Sequence, residues 1–336
     1  MRLIVNEPGI FVGTRGGMIT VSKRGEKRLE VPVAKVDTVI VLTRGASFSS
    51  ALMRLLSKHS IPMVFYSHLG VPLAICKGFT AGSISLRKKQ YEAQSGEVGF
   101  GLAKLFALGK VLNQSSLLYS MARNREVSDP PLARLLHEAT RAVKDTARML
   151  EGLGLDMGSD GVRKEIVKLE AEAAKVYWEG VKQALSKVID FPGRRKRFEN
   201  PFDPVNISLN YLYRVLAGEC LLHVEACGLD PYAGFLHVDS PRRPALVMDV
   251  MEEFRQQVVD RVVFRLAFEK RLDGIVEGNW LKREARMMLY KAFAERLNTS
   301  ITFQSRSLPI SEHMLLQARR VAEHIMGRCD YTPFVL

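Results

Sequence analysis

The chain has 336 residues and a net charge of +13, with 49 Lys and Arg against 36 Asp and Glu. That length suits about two domains, and the cationic excess favours a polyanion as partner, nucleic acid first. No apolar run approaches the roughly 18–20 residues that cross a bilayer, and the opening MRLIVNEPGIFVG lacks the pattern of a signal peptide. The four cysteines, Cys76, Cys220, Cys227 and Cys329, form no CxxC pair, which argues against structural zinc and a disulfide framework. A soluble, cytoplasmic protein without membrane contact is expected.

In chain order, short β-rich runs come first: Leu3–Val5, Gly9–Val12, Met18–Val21, Leu29–Val33 and Val36–Leu42. Turn chemistry separates them, as at Pro8-Gly9, Arg15-Gly16-Gly17 and Gly25. The run Val36–Leu42 reads as a strand buried on both faces. Ser49 or Ser50 caps a helix through His59 with Leu52, Leu55 and Leu56 inward, and strands Pro62–Tyr66 and Val71–Ile75 follow. After Gly82 the period becomes 3.6, with helical spacing near 86–94, 98–124, 130–151, 161–189, 206–227, 244–272, 278–297 and 311–326. The expectation is an α+β protein. A mostly-β domain of two small packed sheets and one helix spans 1–82, and a larger all-α catalytic domain spans 83–336.

Three places bear on chemistry. In GFLHVDSPRRPALVMDVMEEFR, residues 234–255, His237 precedes a Pro-rich turn, and Asp249 and Glu252 share a helix face at i, i+3. Carboxylates beside an imidazole suit a divalent metal whose open side meets phosphate. The competing reading makes His237 a packed or capping residue and the acids a solvated face paired with Arg255. Glu170, in KLEAEAAKVYW, is by pattern an ordinary surface glutamate. The basic block GRRKRFENPFDP, residues 193–204, reads equally as a loop gripping a phosphate backbone or as a solvated loop. Gly13–Gly17, GTRGG, matches neither phosphate-loop nor dinucleotide pattern.

These segments together resemble the CRISPR-associated adaptation integrases, the Cas-one family. VPVAKVDTVIVLTRGASFSSALMRLLSKHSIPMVFYSHLGVPLA is similar to the family's β domain, and GKVLNQSSLL, residues 109–118, to its Lys-x-x-Asn-Gln helix. LEAEAAKVYW, VNISLNYLYRVL, CGLDPYAGFLH and LVMDVMEEFR follow in family order. The resemblance implies that Glu170, His237 and Glu252 are metal ligands for Mg2+ or Mn2+, with Asp249 a supporting catalytic acid. Glu253 stands as the alternative ligand should the helix phase shift by one. Ala171 replaces a family Gly, and Gln256 a family Pro, which lets the helix run on.

What the resemblance implies of activity is an endonuclease and integrase. The 3′-OH of a short DNA fragment would attack the edge of a CRISPR repeat by transesterification. It also implies a homodimer formed through the N-terminal halves, and a heterohexamer with a small second Cas subunit. Arg194, Arg195, Lys196, Arg197, Arg242, Arg243 and Arg255 are the expected phosphate contacts. Two other readings stand beside it: a catalytically silent DNA-binding scaffold, and a transposon-borne integrase of the same fold.

Overall fold

The computed structural model describes residues 1–78, 84–154, 159–196, 199, 201–237 and 243–336. The chain divides into two compact units, Met1–Ala81 and Gly82–Leu336.

The first unit opens with β1 (Arg2–Val5), β2 (Ile10–Arg15), β3 (Met18–Lys23) and β4 (Glu26–Pro32). Then come β5 (Thr38–Val41), β6 (Ser47–Phe48), α1 (Ser50–Lys58), β7 (Met63–Tyr66) and β8 (Pro72–Cys76). They form two four-stranded sheets, ordered β1-β5-β7-β8 and β4-β3-β2-β6. β5 lies parallel to both neighbours, and all four of its residues are buried, as its unbroken apolar run requires. Ser49 caps α1, its Oγ accepting from the Leu52 amide at 3.1 Å. Leu52 and Leu56, one turn apart, enter a core shared with Val12, Ile19, Val39 and Met63 from the two sheets. The two-residue β6 escaped the sequence reading because alternation needs a longer run to show.

The second unit carries α2 (Ile84–Ala93), α3 (Glu97–Arg123), α4 (Pro130–Gly152), α5 (Ser159–Leu185) and α6 (Pro204–Ala226). Asp129 and Asp203 cap α4 and α6, with proline at the first helical position of each. The helix read across 244–272 is three pieces: α7 (Ala245–Glu252), a π-helical turn at Arg255–Asp260, and α8 (Arg261–Phe268). Such turns recur at functional sites.

Two short hairpins interrupt the helical succession. β9 (Val276–Glu277) pairs with β10 (Trp280–Leu281) ahead of α9 (Arg283–Leu297). β11 (Ser300–Phe303) pairs with β12 (Arg306–Pro309) ahead of α10 (Ile310–Ile325). The second turn is made by Gln304 and Ser305, both at positive φ, so the Asn-Gly signature of a two-residue hairpin is missing. α3 is buried on all sides and packs against α4 and α5. Among the described residues no helix is long and apolar enough to cross a membrane.

Candidate active site

Asp249 organises the segment before α7. Its carboxylate is fully buried and accepts from the amides of Phe235 (2.6 Å), Leu236 (3.0 Å) and His237 (2.9 Å). It also takes the His237 ring at Nδ1, 2.7 Å away. Gly234 allows the approach: a Cβ there would lie 2.7 Å from Ala245 Cβ and 3.0 Å from Asp249 Oδ2. A neutral ring that donates Nδ1–H to Asp249 leaves a lone pair on Nε2, and a carboxylate behind an imidazole is how proteins fix a ligating histidine. One turn further along, Glu252 Oε1 stands 3.9 Å from that Nε2.

Glu252 is almost fully enclosed. Burial alone would raise its carboxyl, but Arg255, Lys110 and His237 together hold it well below the usual carboxylate range. Arg255 Nη2 lies 3.0 Å from Glu252 Oε1, and Lys110 Nζ, from α3, lies 2.9 Å from Oε2. The same ammonium pairs with Glu170 on α5. Burial opposes the charge of Lys110, yet the two glutamates prevail and raise its pKa.

Glu170, His237 and Glu252 line one cavity of about 940 Å³ between α3, α5, α6 and α7. Among the described residues its walls carry Lys110, Lys175, Lys182, Arg194, Lys196, Arg243 and Arg255 against Glu170, Glu179 and Glu252. Such a surplus focuses positive potential in a cleft. Ala171 and Ala174 face it from α5 and keep that wall low. Gln114 Oε1 and Gln256 Oε1, both on the lining, are buried without a hydrogen bond among the described residues.

Two carboxylates and an imidazole with a free Nε2 are a donor set that fits a hard divalent ion. Among the described residues, however, no three such side chains converge on one point. Lys110 stands between the two glutamates and supplies their counter-charge, so a divalent ion would have to displace it.

The basic loop divides in function. Arg194 is half-buried between the rings of Trp178 (5.7 Å) and Tyr213 (5.4 Å). Its terminal nitrogens donate to Asn206 (3.0 Å) and Asn210 (2.8 Å), which anchors the loop and leaves less of it for phosphate. Arg195 and Lys196 are exposed, and Arg243 is exposed on the lining. Arg197 and Arg242 lie outside the described residues. Arg255, beyond its pairing with Glu252, sits 5.0 Å over the Tyr213 ring.

Beneath these rings Asp260 accepts from the hydroxyls of Tyr177 (2.7 Å) and Tyr213. Burial lifts its carboxyl to about 6, against the lowering pull of both hydroxyls and of Arg194 and Arg255. The folded chain therefore keeps a proton that the unfolded chain releases between its reference 3.8 and about 6. This group's contribution to stability falls as pH rises through that window. Asp260→Asn is expected to flatten the decline, by roughly 3 kcal/mol over pH 4–7. Denaturant midpoints of both proteins across that range check it, and parallel curves would contradict it.

The residue after Glu252 faces away from the cavity. Glu253 accepts from Tyr331 Oη (2.7 Å), the Phe334 amide (2.9 Å) and Gln317 Nε2 (3.1 Å). Burial pushes its carboxyl up to about 7, although all three hydrogen bonds lower it. Asn113, one turn beyond Lys110 on α3, donates to the carbonyls of Glu253 (3.0 Å) and Phe334 (2.7 Å) and accepts from the Leu336 amide (3.1 Å). Phe334 stacks on Phe254 at 4.7 Å. Residues 331–336 thus form a strap behind the α7 helix. Gly109 makes room for it, since a Cβ there would sit 2.9 Å from Pro333 and 3.0 Å from Glu253. Helix phase decides the alternative: Glu252 is the cavity residue and Glu253 the strap residue.

The family model described as CRISPR associated protein Cas1 matches residues 3–306. The chain belongs to the Cas1 family. A CRISPR-associated endonuclease Cas1 of Archaeoglobus fulgidus is 35% identical over 346 residues, covering 100% of this chain and 99% of that one. Among solved structures, a casposase bound to integration product aligns with TM-score 0.79 at 22% identity, over 99% of this chain and 92% of that one. A Cas6-RT-Cas1–Cas2 complex aligns with TM-score 0.70 at 16% identity, over 98% of this chain and 35% of that one. At those identities the two structures speak for the fold. Lys110 and the strap are what sequence reasoning missed in this Cas1 family member. A lysine amid Phe106, Ala107, Leu108, Val111 and Leu112 was the available signal, because a buried cation needs carboxylate partners.

Proposed function

We propose that the chain is a metal-dependent DNA endonuclease and integrase of CRISPR adaptation. It joins the 3′-OH ends of short DNA fragments to the edge of a CRISPR repeat. The observation that carries this reading is the placement of Glu170, His237 and Glu252 on one cation-walled cavity, in a chain of the Cas1 family. The whole-length relative named an endonuclease supports it.

Glu170, His237 and Glu252 are the residues that would hold Mg2+ or Mn2+, which when bound supplies Lewis-acid stabilisation of charge on the attacking and leaving oxygens. Asp249 holds the His237 ring with Nε2 toward Glu252. Lys110 and Arg255 flank Glu252 and bring positive charge to the scissile phosphate, while Arg195, Lys196 and Arg243 position its neighbours along the strand. The 3′ hydroxyl oxygen bonds to phosphorus as the phosphorus–oxygen bond of the repeat strand breaks. The hydroxyl proton leaves, and the departing oxygen takes one up. One phosphodiester replaces another, so no nucleotide triphosphate is consumed. Water in place of the hydroxyl gives strand cleavage.

The working assembly proposed is a homodimer joined to a small second Cas subunit, in keeping with the Cas1–Cas2 complex that shares the fold. The test is transfer of a short 3′-OH duplex into a supercoiled, repeat-bearing plasmid with that subunit and Mn2+. Fragment-linked nicked plasmid is expected from wild type and not from His237→Ala. Equal product from both would move the chemistry elsewhere. DNA binding without product from either would favour the silent scaffold.

A further inference from the structure

A second cluster of cations lies on a concavity that shares no residue with the cavity above. Arg261, Arg265 and Arg296 line a pocket of about 190 Å³ with Val262, Glu295 and Thr299. Arg261 and Arg265 are successive turns of α8, and Arg296 comes from the last turn of α9.

Two of the three guanidinium groups are held in place by one buried residue, Gln257, through its side chain and its backbone carbonyl. Arg261 Nε donates to Gln257 Oε1 at 3.2 Å, and Arg296 Nε donates to the Gln257 carbonyl at 2.8 Å. Gln257 is itself fixed, its Nε2 donating to Asn113 Oδ1 at 3.2 Å. Among the described residues the terminal nitrogens of Arg261 and Arg296 have no protein partner. The lining's one carboxylate, Glu295, is exposed and pairs with none of the three arginines. Arg265 meets Glu269 only loosely, at 3.8 Å, with both side chains about half exposed.

Like charges held together are unfavourable, and Arg cannot relieve the repulsion by losing its proton. Burial, then Arg261 and Arg265, pull Arg296 down to about 10, the direction expected where an anion is wanted. Forked donors with tethered Nε atoms match tetrahedral oxyanions, above all phosphate.

We infer that Arg261, Arg265 and Arg296 form a phosphate site that takes a backbone phosphate of bound DNA outside the catalytic cavity. The phosphate chemistry stands on the arginines alone; its assignment to DNA rests on the function proposed above.

The test uses the full chain without metal and the double variant R261Q/R265Q, which retains the Arg296–Gln257 tether. Matching thermal midpoints establish that the variant folds. Binding of a short 3′-OH duplex is followed by anisotropy from low to moderate NaCl, and binding of inorganic phosphate by calorimetry. Each lost phosphate contact lowers the log–log salt slope by about 0.9. The expected result is a slope smaller by about 1–2 and duplex affinity about tenfold weaker, with phosphate heat also reduced. Reduced phosphate heat with an unchanged DNA slope would make this a free-phosphate site and overturn the DNA assignment. No change in either would overturn the site itself. Wild type that binds no duplex at all would defeat the integrase reading and with it the DNA assignment, and the phosphate arm would still decide whether the arginines form a site.

Discussion

Glu252→Gln is expected to reduce strand transfer about 10³-fold and to destabilise the fold by roughly 3–5 kcal/mol. Glu170→Gln is expected to match the loss of transfer while shifting stability by only about 1 kcal/mol. The difference follows from burial. The Glu252 side chain is 2% exposed and faces both Lys110 and Arg255, so neutralising it strands the enclosed Arg255 guanidinium and leaves Lys110 with Glu170 alone. The Glu170 side chain is 17% exposed and pairs with Lys110 alone, and Lys110 keeps Glu252 when Glu170 is neutral. On the proposed function both carboxylates would hold one ion, so activity should fall alike, since such an ion's charge stabilisation amounts to several kcal/mol at about 1.4 kcal/mol per tenfold in rate. Denaturant unfolding and strand-transfer rates measured on the same preparations separate the two effects. If transfer survived in one variant and vanished in the other, the two carboxylates would not share an ion.

Asp249→Asn is expected to cost roughly 3–5 kcal/mol in stability and about 10–100-fold in metal affinity. Three amides and an imidazole converge on this carboxylate. An amide offers one acceptor oxygen, so its NH2 would be pressed against at least one donor. The ring of His237 would then lose the partner that fixes its tautomer and plane. Thermal unfolding together with calorimetric Mn2+ titration checks both numbers. A variant with wild-type stability and weakened metal binding would show that Asp249 acts on the ion rather than on the scaffold.

Much of this was legible in the residues because local chemistry and tertiary packing agree. The β5 run, the Ser49 cap and the Asp-Pro openings of α4 and α6 each announce themselves. So does the grouping of His237 with two acids one turn apart, since that spacing lets Asp249 and Glu252 flank opposite nitrogens of one ring. What stayed hidden depends on partners distant in sequence. Apolar spacing continues through Arg255–Asp260, and nothing in it announces a π-helical turn. Arg194 sits in a basic block that promises solvent, yet Trp178, Tyr213, Asn206 and Asn210 enclose it. Glu253 and Glu252 are the same residue type side by side, and only the partners Gln317, Tyr331 and Phe334 reveal that Glu253 serves the scaffold.

The strap also sets an order of events during synthesis. Phe334 follows Glu253 by 81 residues, which at roughly 5–20 residues per second is a delay of about 4–16 s. Until residues 331–336 emerge, Asn113 lacks the Phe334 carbonyl and the Leu336 amide, and Glu253 lacks the Tyr331 hydroxyl and the Phe334 amide, although α7 already packs on α3 and α6. A nascent chain therefore carries every residue of the cavity before the strap that completes the packing around Glu253 has been made.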